Sequence, residues 1–560
     1  MPGTSPCRSP KVRASPVTAP LVSREDLVTG ARFLWRLPGF LRHPITAEQA
    51  GAILLRRIEH RERDFLDLVR RTIYGKFPSP YRALLRRAGC EYGDLEQLVN
   101  RDGVEEALGT LLRQGVYLTV AEMKGRRPVV RGRHTVVIAS EELQNPFVAT
   151  HMRSQTGGSR GPGAPVALSL ALIREMAVNS GLVAAARGEQ DWAHAVWLAP
   201  GGDAVNKLLR YAVSGMVPDR WFSPIDLRAR GLHPRYRWSA RLLQWGARLA
   251  NVRLPQPTHV PIDQAVTIAR WMAEELCGGR TSHLITMASS AVRVCEAAAE
   301  AGIDLHGGQF TLTGEPTTAS RLASIRRVGA EAQPFYATME AGIIGLGCLA
   351  ADIPDDVHLF HDRLAVIAAG NAGEGFGLPA RALFVSTLQA MGTPVILLNA
   401  SLGDQAVISR RACGCPLESL GWRTHLHTIR SYEKLTAGGM TFLDTDLVRV
   451  LEEILPARFG GGPTDYQLIE EEVANGRPRL RVLVHPRVGP VDDQAVVGAF
   501  LESLSARSGA ERVMALVWQD AKLLRVERHP PLTTVSGKIL HLHSERPREG
   551  PSRGRDVVGS

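Results

Sequence analysis

The chain has 560 residues, of which 44% are hydrophobic and 22% charged, which is typical of a globular protein and too long for one core. Its net charge of +11 is scattered, without zinc-finger spacing or aromatic-basic motifs, so the composition does not favour a nucleic-acid partner. The sequence contains no apolar run of 18 residues and no secretory signal, and its seven cysteines lack regular spacing. We therefore expect a cytoplasmic protein in a reducing compartment, without a membrane partner.

The first predicted elements are helices. Residues 1–25 and 546–560 are rich in proline, serine and arginine, and we expect both to be disordered tails. Apolar residues recur at helical spacing over residues 50–69, 80–89 and 104–114, which predicts a helical part over 26–120. Arg56, Arg57 and Arg61 alternate with glutamates, and this pattern predicts a solvated helix face.

The centre of the chain alternates helical and strand patterns, which favours an α/β fold. After residue 357 the pattern becomes β-rich. We predict a large domain over residues 26–430, with helices around mixed sheets and a small β-rich subdomain. The predicted helices cover residues 168–179, 182–187, 262–276 and 291–301, and the predicted strands cover 195–198, 284–287, 357–367, 382–388, 394–399 and 405–409.

A smaller module follows, and we predict a mobile α+β domain over residues 431–545. Its expected order is a helix over residues 445–455, strands over 466–471 and 480–485, a helix over 492–507 and a strand over 512–517. Arg430 lies immediately before it, where a hinge would be needed. Arg430 could reach a nucleotide ribose or phosphate, or pair with Glu433.

The segment from residue 310 to 340 is the most informative one. A strand ends at the turn Gly314-Glu315-Pro316, a helix follows, and a second strand leads to Tyr336 and Glu340. Ligands of open α/β sheets bind beyond the carboxyl ends of the strands. The turn could border a purine base, Tyr336 could stack on it, and Glu340 could hold Mg²⁺. The alternative is a buried tyrosine and a surface glutamate.

A loop of glycines and hydroxyl residues precedes that segment. It contains Ser154, Thr156, Gly158 and Arg160. Glycine-rich backbone can direct N–H groups towards phosphate oxygens, hydroxyls add donors, and the guanidinium adds charge-assisted bonds. The loop lacks the ending of a Walker motif, and a flexible surface loop is the alternative.

Two further features follow along the chain. Gly403-Asp404 lies where one β run breaks and another begins, and its carboxylate could accept both hydroxyls of a ribose; an ordinary hairpin turn is the alternative. Lys538 ends the small-residue loop 533–538. Its ammonium group suits a developing negative charge, and a solvated tail lysine is the alternative.

The cysteines contribute one local feature. Cys413-Gly414-Cys415 is the single close pair, and no second pair lies nearby in the sequence. Zinc sites read from sequence require two such pairs at set spacing, so this pair does not predict one.

Taken in order, these features resemble the adenylate-forming (ANL) superfamily, and most closely its phenylacetate–CoA ligase-like branch. The loop at Ser154–Arg160 resembles the family's phosphate loop, and the turn at Gly314 with the Tyr336–Glu340 segment resembles its adenine site. Asp404 resembles the ribose-binding aspartate, the segment from Cys413 to Arg430 resembles the lead into the hinge, and Lys538 resembles the catalytic lysine. The resemblance spans residues 81–541. It departs from the family at Gln155, Gly157, Met339 and Tyr432.

The resemblance implies an ATP-dependent, AMP-forming carboxylic acid ligase that makes an acyl-AMP and transfers the acyl group to a thiol. The expected cofactors are ATP, Mg²⁺ and CoA, and the expected partners are a small carboxylic acid and either CoA or a phosphopantetheine carrier protein. It also implies roles for residues. Lys538 would be catalytic, Glu340 would bind the metal, Ser154, Thr156, Gly158 and Arg160 would bind phosphates, and Gly314, Glu315, Pro316, Tyr336, Asp404 and Arg430 would bind adenine or ribose.

Several alternatives stay open. The acceptor could be a carrier protein or a protein cysteine, and a homodimer is open. A nucleotide-binding homologue without ligase chemistry is a second hypothesis, and a basic nucleic-acid-binding protein is a third. Aromatic residues around 221–245, with residues 287–294, could line an acid pocket, which would favour an aryl or hydrophobic acid; core packing explains the same residues.

Overall fold

A computed structural model describes residues 24–75, 79–149, 152–155, 165–229, 234–370, 377–432, 436–437, 440–441, 444–472, 478–505, 524–534 and 537–545. Of the predicted tails, residues 1–23 and 546–560 lie outside these ranges, and the first helix already begins at Arg24.

The helices are α1 Arg24–Arg42, α2 Ala47–Glu59, α3 Arg61–Thr72, α4 Pro80–Arg87, α5 Tyr92–Asp102, α6 Val104–Arg113, α7 Val120–Met123, α8 Leu170–Arg187, α9 Gly202–Val213, α10 Pro234–Leu249, α11 Val266–Cys277, α12 Ala288–Glu300, α13 Ala319–Arg326, α14 Asp444–Arg449, α15 Leu455–Phe459 and α16 Asp493–Ser505. A π-helical turn, Val450–Ile454, joins α14 to α15. Short 3₁₀ turns cover Ser140–Leu143, Glu189–Asp191, Ile262–Gln264, Pro416–Leu420 and Pro486–Val488.

The strands are β1 Val129–Arg131, β2 His134–Val136, β3 Met152–Gln155, β4 Pro165–Leu168, β5 Ala193–Trp197, β6 Arg220–Ser223, β7 Pro257–His259, β8 Ser282–Met287, β9 Gln309–Thr313, β10 Glu331–Thr338, β11 Gly342–Gly347, β12 Val357–Leu359, β13 Leu364–Ala368, β14 Ala382–Thr387, β15 Ala400–Arg410, β16 Thr424–Ser431, β17 Thr436–Ala437, β18 Met440–Thr441, β19 Tyr466–Glu472, β20 Pro478–Val484, β21 Leu524–Arg528 and β22 Leu542–Glu545.

A mixed sheet of twelve strands organises the large part of the chain. Its order is β13-β14-β15-β16-β12-β11-β10-β9-β8-β5-β6-β7. The half from β10 to β7 is parallel, as expected for strands joined by helices, and the half from β10 to β13 is antiparallel. The predicted α/β class with a β-rich subdomain is therefore confirmed, and β10 is the strand at which the two halves meet.

Helices cover both faces of the parallel half. Helices α1, α2, α8, α9 and α10 share a hydrophobic core with one face, and α11, α12 and α13 share a core with the other. Every residue of β5 and β8 is buried, as expected for strands enclosed on both sides. None of the described helices is long and apolar enough to cross a membrane.

The later helices of the N-terminal part, α3 to α7, pack against the antiparallel half of the sheet. The helix predicted over residues 50–69 is interrupted at His60, whose φ of −106° and ψ of 16° end α2. The prediction of a solvated arginine face is wrong for Arg57 and Arg61, which are 2% and 8% exposed. Arg57 pairs with Glu175 and Asp362, so these arginines join α2 and α3 to the rest of the large part.

The strand predicted over residues 357–367 is two separate strands, β12 and β13, and a further predicted strand and a predicted turn are wrong. Residues 394–399 form only an isolated bridge between Val395 and Gln144, and β15 begins at Ala400. Gly403 and Asp404 therefore lie within a long strand rather than in a hairpin turn. The register of β15 against β14 shifts beside them, and Gly403 has a φ of +86°, so the Gly-Asp pair marks a β-bulge.

The C-terminal module has its own sheet and core. The sheet order is β21-β20-β19-β22, and residues of α14, the π turn and α16 pack on it. The strand predicted over residues 512–517 lies outside the described residues. The α+β order of the module is confirmed for the described elements, while the boundary at residue 431 remains a prediction.

Candidate functional site

The candidate site lies at the carboxyl ends of the parallel strands. Met287 ends β8, and Gly314 follows β9 directly. Gly314 has a φ of +76°, which favours glycine. A Cβ atom at this position would lie 2.8 Å from the Met287 Sδ and 2.9 Å from the Lys538 Nζ. The absence of a side chain at Gly314 therefore makes room for the lysine.

The carboxylate of Glu315 joins the turn to the C-terminal loop. It accepts hydrogen bonds from the Ser289 backbone N–H at 2.7 Å and from the Ser289 hydroxyl at 3.1 Å. It also accepts one from the backbone N–H of Ile539 at 2.7 Å. Because Ile539 follows Lys538 directly, this bond fixes the position of the lysine relative to the turn.

The loop that ends in Lys538 has a compact local structure. The backbone N–H of Gly537 donates to the Thr534 carbonyl at 2.8 Å, and the N–H of Lys538 donates to the Thr534 hydroxyl at 3.1 Å. Gly537 has a φ of +89°. The Arg293 guanidinium donates to the Gly537 carbonyl at 3.3 Å, so α12 also holds the loop.

Tyr336 and Asp404, which sequence patterns placed separately, are in contact. The Tyr336 hydroxyl donates to the Asp404 Oδ2 at 3.1 Å. Burial and the Asp404 carboxylate raise the pKa of Tyr336 well above its usual range, so the phenol stays protonated and remains a donor. The backbone N–H of Tyr432 donates to the Gly403 carbonyl at 3.0 Å, which supports the bulge next to Asp404.

Glu340 lies in the turn between β10 and β11. The turn is closed by the backbone N–H of Ala341, which donates to the Thr338 hydroxyl at 3.1 Å. The Glu340 residue is half-buried, and it forms no ion pair with any described residue. A carboxylate in this position is available to an external cation.

Arg430 pairs with an aspartate of the large part, and its proposed contact with a ribose or phosphate remains a prediction. Its guanidinium donates to the Asp355 carboxylate at 2.6 Å and to the Ile429 carbonyl at 2.7 Å. It lies opposite Gln405 in the β15–β16 pairing, one residue from Asp404. Glu433, the expected alternative partner, lies outside the described residues.

The predicted phosphate loop lies mostly outside the described residues. Thr156, Gly158 and Arg160 belong to the part of the chain that is not described, and Ser154 lies on β3. Strands β3 and β4, which flank the loop, pair antiparallel, with Ser154 opposite Val166. Strand β3 contacts α9. The strand that leads into the loop therefore lies near the helix that carries Asp203.

Asp203 is a site residue that sequence reasoning missed. It lies in the first turn of α9, after β5, and pairs with the buried Lys207. Desolvation alone would raise the pKa of Asp203, but Lys207, Lys538 and Arg210 together lower it. Its side chain is 50% exposed, so a carboxylate that interacts electrostatically with Lys538 is accessible to solvent. The sequence signal that could have indicated this residue is the run Pro200-Gly201-Gly202-Asp203, which follows a predicted strand.

The aromatic residues expected to line an acid pocket differ in their exposure to solvent. Trp221 is 1% exposed and donates to the Leu198 carbonyl within the core, so the packing interpretation holds for it. Trp238 and Trp245 are exposed on α10, at 47% and 53%. Met287, in the second segment expected at the pocket, does contact the Gly314 turn.

A buried ionic cluster joins the C-terminal module to the large part. Arg321 on α13 pairs with Glu452 of the π turn at 2.9 Å, and these side chains are 0% and 1% exposed. The Glu452 carboxylate also bonds to the His541 Nε2 at 2.6 Å and accepts from the Thr318 hydroxyl. Burial opposes ionisation of Glu452, but Arg321 and His541 outweigh it and lower the pKa of this carboxyl.

No protein-family model matches the sequence, and no curated protein matches it. Among solved structures, the fold is similar to that of 2-hydroxyisobutyryl-CoA ligase in the postadenylation state with 2-HIB-AMP, at 13% identity over 90% of this chain and 91% of that chain, with a TM-score of 0.49. It is also similar to the anthranilate CoA ligase AuaEII with anthranoyl-AMP, at 11% identity over 69% and 65%, with a TM-score of 0.41. A third similar structure is the O-succinylbenzoate coenzyme A synthetase of Bacillus subtilis with AMP, at 13% identity over 70% and 69%, with a TM-score of 0.39. At such identities and scores, this likeness by itself establishes neither a family nor an activity.

Proposed function

We propose that this protein is an ATP-dependent, AMP-forming carboxylic acid ligase of the adenylate-forming type. The observation behind the proposal is the position of Lys538. The lysine comes from a loop near the C-terminus, yet its ammonium group contacts the turn at Gly314, at the carboxyl end of β9. A mobile cation at the ligand-binding edge of an α/β sheet suits a reaction at a phosphate.

The remaining groups fit a nucleotide. The Tyr336 ring and the Gly314–Pro316 turn would border the adenine, and Asp404, held by the Tyr336 hydroxyl, would accept the ribose hydroxyls. Glu340 would hold Mg²⁺, which neutralises charge on the triphosphate. Ser154, Thr156, Gly158 and Arg160 remain proposed phosphate ligands.

The proposed chemistry has two steps. The substrate carboxylate attacks the α-phosphorus of ATP, forming acyl-AMP and releasing pyrophosphate. The thiol of CoA, or of a carrier protein, then attacks the acyl carbon, and AMP leaves. The protein contributes positioning and charge neutralisation, and Lys538 would stabilise the negative charge that develops between the carboxylate and the α-phosphate.

The second step requires Lys538 to withdraw from the site before the thiol attacks. The resembled family achieves this by rotating the small domain. Here Tyr432 bonds to the Ser401 hydroxyl at 2.5 Å and to the Gly403 carbonyl, so the chain is held to the large part as far as this residue. The resemblance favours a hinge near residues 430–432, and we propose that the pivot lies at the C-terminal side of this range.

ATP–pyrophosphate exchange tests the proposal. The purified chain is incubated with Mg²⁺, ATP, labelled pyrophosphate and, in turn, aryl, short-chain and long-chain acids. We expect exchange that depends on one class of acid, with aryl or other hydrophobic acids favoured. ATP binding without exchange for any acid would support the alternative of a homologue that binds nucleotide without ligating. CoA consumption in the presence of the active acid then separates CoA from a carrier-protein acceptor.

A further inference from the structure

Three cysteines and a histidine meet at a second place in the large part. The Sγ atoms of Cys348, Cys413 and Cys415 and a ring nitrogen of His358 all lie within 4.8 Å of one another. The His358 Nε2 lies 3.2 Å from the Cys415 Sγ and 3.8 Å from the Cys413 Sγ. Zinc bonds to sulfur and nitrogen of about 2.3 and 2.0 Å give tetrahedral ligand separations of about 3.5 to 3.8 Å. The two histidine–sulfur distances bracket this range, and no separation in the cluster exceeds it by more than about 1 Å, so the cluster is close to the dimensions of a tetrahedral metal site.

The sheet topology assembles these residues from distant segments. Cys348 directly follows β11, and His358 lies on β12, which pairs antiparallel with β11. Strand β12 also pairs with β16, and Cys413 and Cys415 lie in the connection that leads from β15 to β16. The pair Cys413-Gly414-Cys415 thus has its two missing partners on a neighbouring strand and turn.

A hydrogen bond to the backbone orients the histidine as metal sites require. The His358 Nδ1 lies 2.7 Å from the Trp422 carbonyl, which can only accept, so Nδ1 carries the proton and the Nε2 lone pair faces the sulfurs.

A comparable cluster elsewhere shows what a non-metal arrangement looks like. Glu189, His194 and His283 also place possible ligand atoms close together. There the two Nδ1 atoms share a hydrogen bond at 2.9 Å, and each Nε2 bonds to an oxygen, the Glu189 carbonyl or the Thr311 hydroxyl. Those ring nitrogens are satisfied by the protein. In contrast, the described partners of the His358 Nε2 are sulfur atoms.

The surroundings suit a closed site of low charge. Cys348, His358 and Cys415 are buried, at 1%, 0% and 5% exposure. Three thiolates and one imidazole leave one net negative charge around a divalent ion.

We propose that Cys348, His358, Cys413 and Cys415 bind a structural zinc ion. The site is closed by four protein ligands, so it has no position for substrate and is not catalytic. The ion would join the end of β11, the strand β12 and the lead into β16. This proposal is independent of the proposed ligase activity, because its test measures the zinc bound per chain and does not depend on catalytic turnover.

Metal analysis of the full chain tests it. The protein is purified under reducing conditions without added metal, and we expect about one zinc ion per chain, released on titration of the thiols with a mercurial reagent. After exchange into cobalt, we expect thiolate-to-cobalt charge-transfer absorption and the intense visible bands of a tetrahedral ion. A chain that contains no zinc and gives no such cobalt spectrum after anaerobic reconstitution would overturn the proposal, as would a native disulfide among the three cysteines.

Variants locate the site. Cys413→Ser should lose at least about tenfold in zinc affinity, whereas Cys277→Ser, at an exposed cysteine outside the cluster, should retain the ion. Wild-type zinc affinity in both Cys413→Ser and Cys415→Ser would contradict the assignment. If these variants do not fold, the metal content and cobalt spectrum of the unaltered chain decide.

Discussion

The Tyr336 hydroxyl donates a hydrogen bond of 3.1 Å to the Asp404 carboxylate, across 68 positions of sequence. The two residues belong to β10 and β15, which are separated in the sheet by β11, β12 and β16. The contact therefore requires the antiparallel half of the sheet to curl back towards the parallel half. An aromatic ring and a carboxylate are brought together in one place, which fits the proposed nucleoside site.

This contact leads to the first prediction. Asp404→Ala removes a proposed acceptor of the ribose hydroxyls, and we expect the KM for ATP in pyrophosphate exchange to rise about 10- to 100-fold. Tyr336→Phe keeps the ring but releases the carboxylate, so its effect on KM should be smaller and in the same direction. Asp352→Ala, at an exposed aspartate, is the matched control. An unchanged KM in Asp404→Ala would remove the residue from the nucleotide site.

Lys538 gives the second prediction. Lys538→Ala should reduce adenylation by about 10²- to 10³-fold, as expected for the loss of one preorganised charge-stabilising group. Lys124→Ala, at an exposed lysine, should have no effect. Exchange is measured at saturating ATP and acid, so that the effect reports the chemical step. Normal acyl-AMP formation in Lys538→Ala would refute the catalytic role.

Gly314 allows a test of geometry without a change in charge. Gly314→Ala places a methyl group 2.8 to 2.9 Å from atoms of Met287 and Lys538, so the lysine must shift, and we expect exchange to fall by about 10²-fold. Gly279→Ala is a matched control, because Gly279 has a φ of +80° but open space around its Cβ position. Both substitutions place a side chain at a positive φ and should each cost about 1 kcal/mol or more in the free energy of unfolding, with the larger cost at Gly314, where the methyl group also crowds Met287. Equal exchange rates in the two variants would show that lysine placement does not depend on Gly314.

Glu340 provides a prediction for metal dependence. Glu340→Gln should raise the Mg²⁺ concentration for half-maximal exchange by at least about tenfold, because one anionic ligand is lost. Glu331→Gln, at the opposite end of β10, serves as the control. The measurement is a Mg²⁺ titration at constant ATP. Identical titration curves would exclude Glu340 as a metal ligand.

The Glu452 cluster predicts how stability depends on pH. Its folded pKa lies below the ordinary value of 4.5, so its stabilisation is complete above about pH 4.5 and is lost as the pH falls through the lower folded value. Glu452→Gln removes the nearer of the two carboxylates that pair with the buried Arg321, leaving Glu315 at 3.5 Å, and should cost about 3 kcal/mol at neutral pH. It should also flatten the acid limb of the stability curve.

The neighbouring Glu453, which is exposed, supplies the control for that experiment. Glu453→Gln should change the free energy of unfolding little at any pH. The measurement is denaturant unfolding between pH 3 and pH 7. Equal stability of the two variants at neutral pH would show that the cluster does not hold the C-terminal module against the large part.

Local patterns were sufficient where the structure depends on local physics. Strand β9, helix α13 and strand β10 follow the predicted order, because apolar spacing at Leu322 and Ile325 specifies a helix face wherever it occurs. The prediction of a turn at Gly403-Asp404 was wrong because the same dipeptide suits both a hairpin turn and a β-bulge. Only the pairing of β15 with β14 distinguishes the two.

Contacts between distant segments could not be predicted. His358 and Cys415 are 57 positions apart, and Arg321 and His541 are 220 positions apart. Nothing in the local spacing of Cys413 and Cys415 indicates a histidine on β12. Such pairs depend on the order of strands in the sheet, which periodicity does not determine.

The carboxylate of Glu315 would link nucleotide binding at the turn to docking of the loop that carries Lys538. It accepts a hydrogen bond from Ser289 in the large part and another from Ile539, next to Lys538. Binding free energies are linked reciprocally. If a nucleotide at the Gly314–Pro316 turn favours docking of the C-terminal loop by some factor, the docked loop must raise nucleotide affinity by the same factor. ATP and the acyl-AMP would then be retained while Lys538 is inserted at the site. AMP would be released most readily after Lys538 has withdrawn.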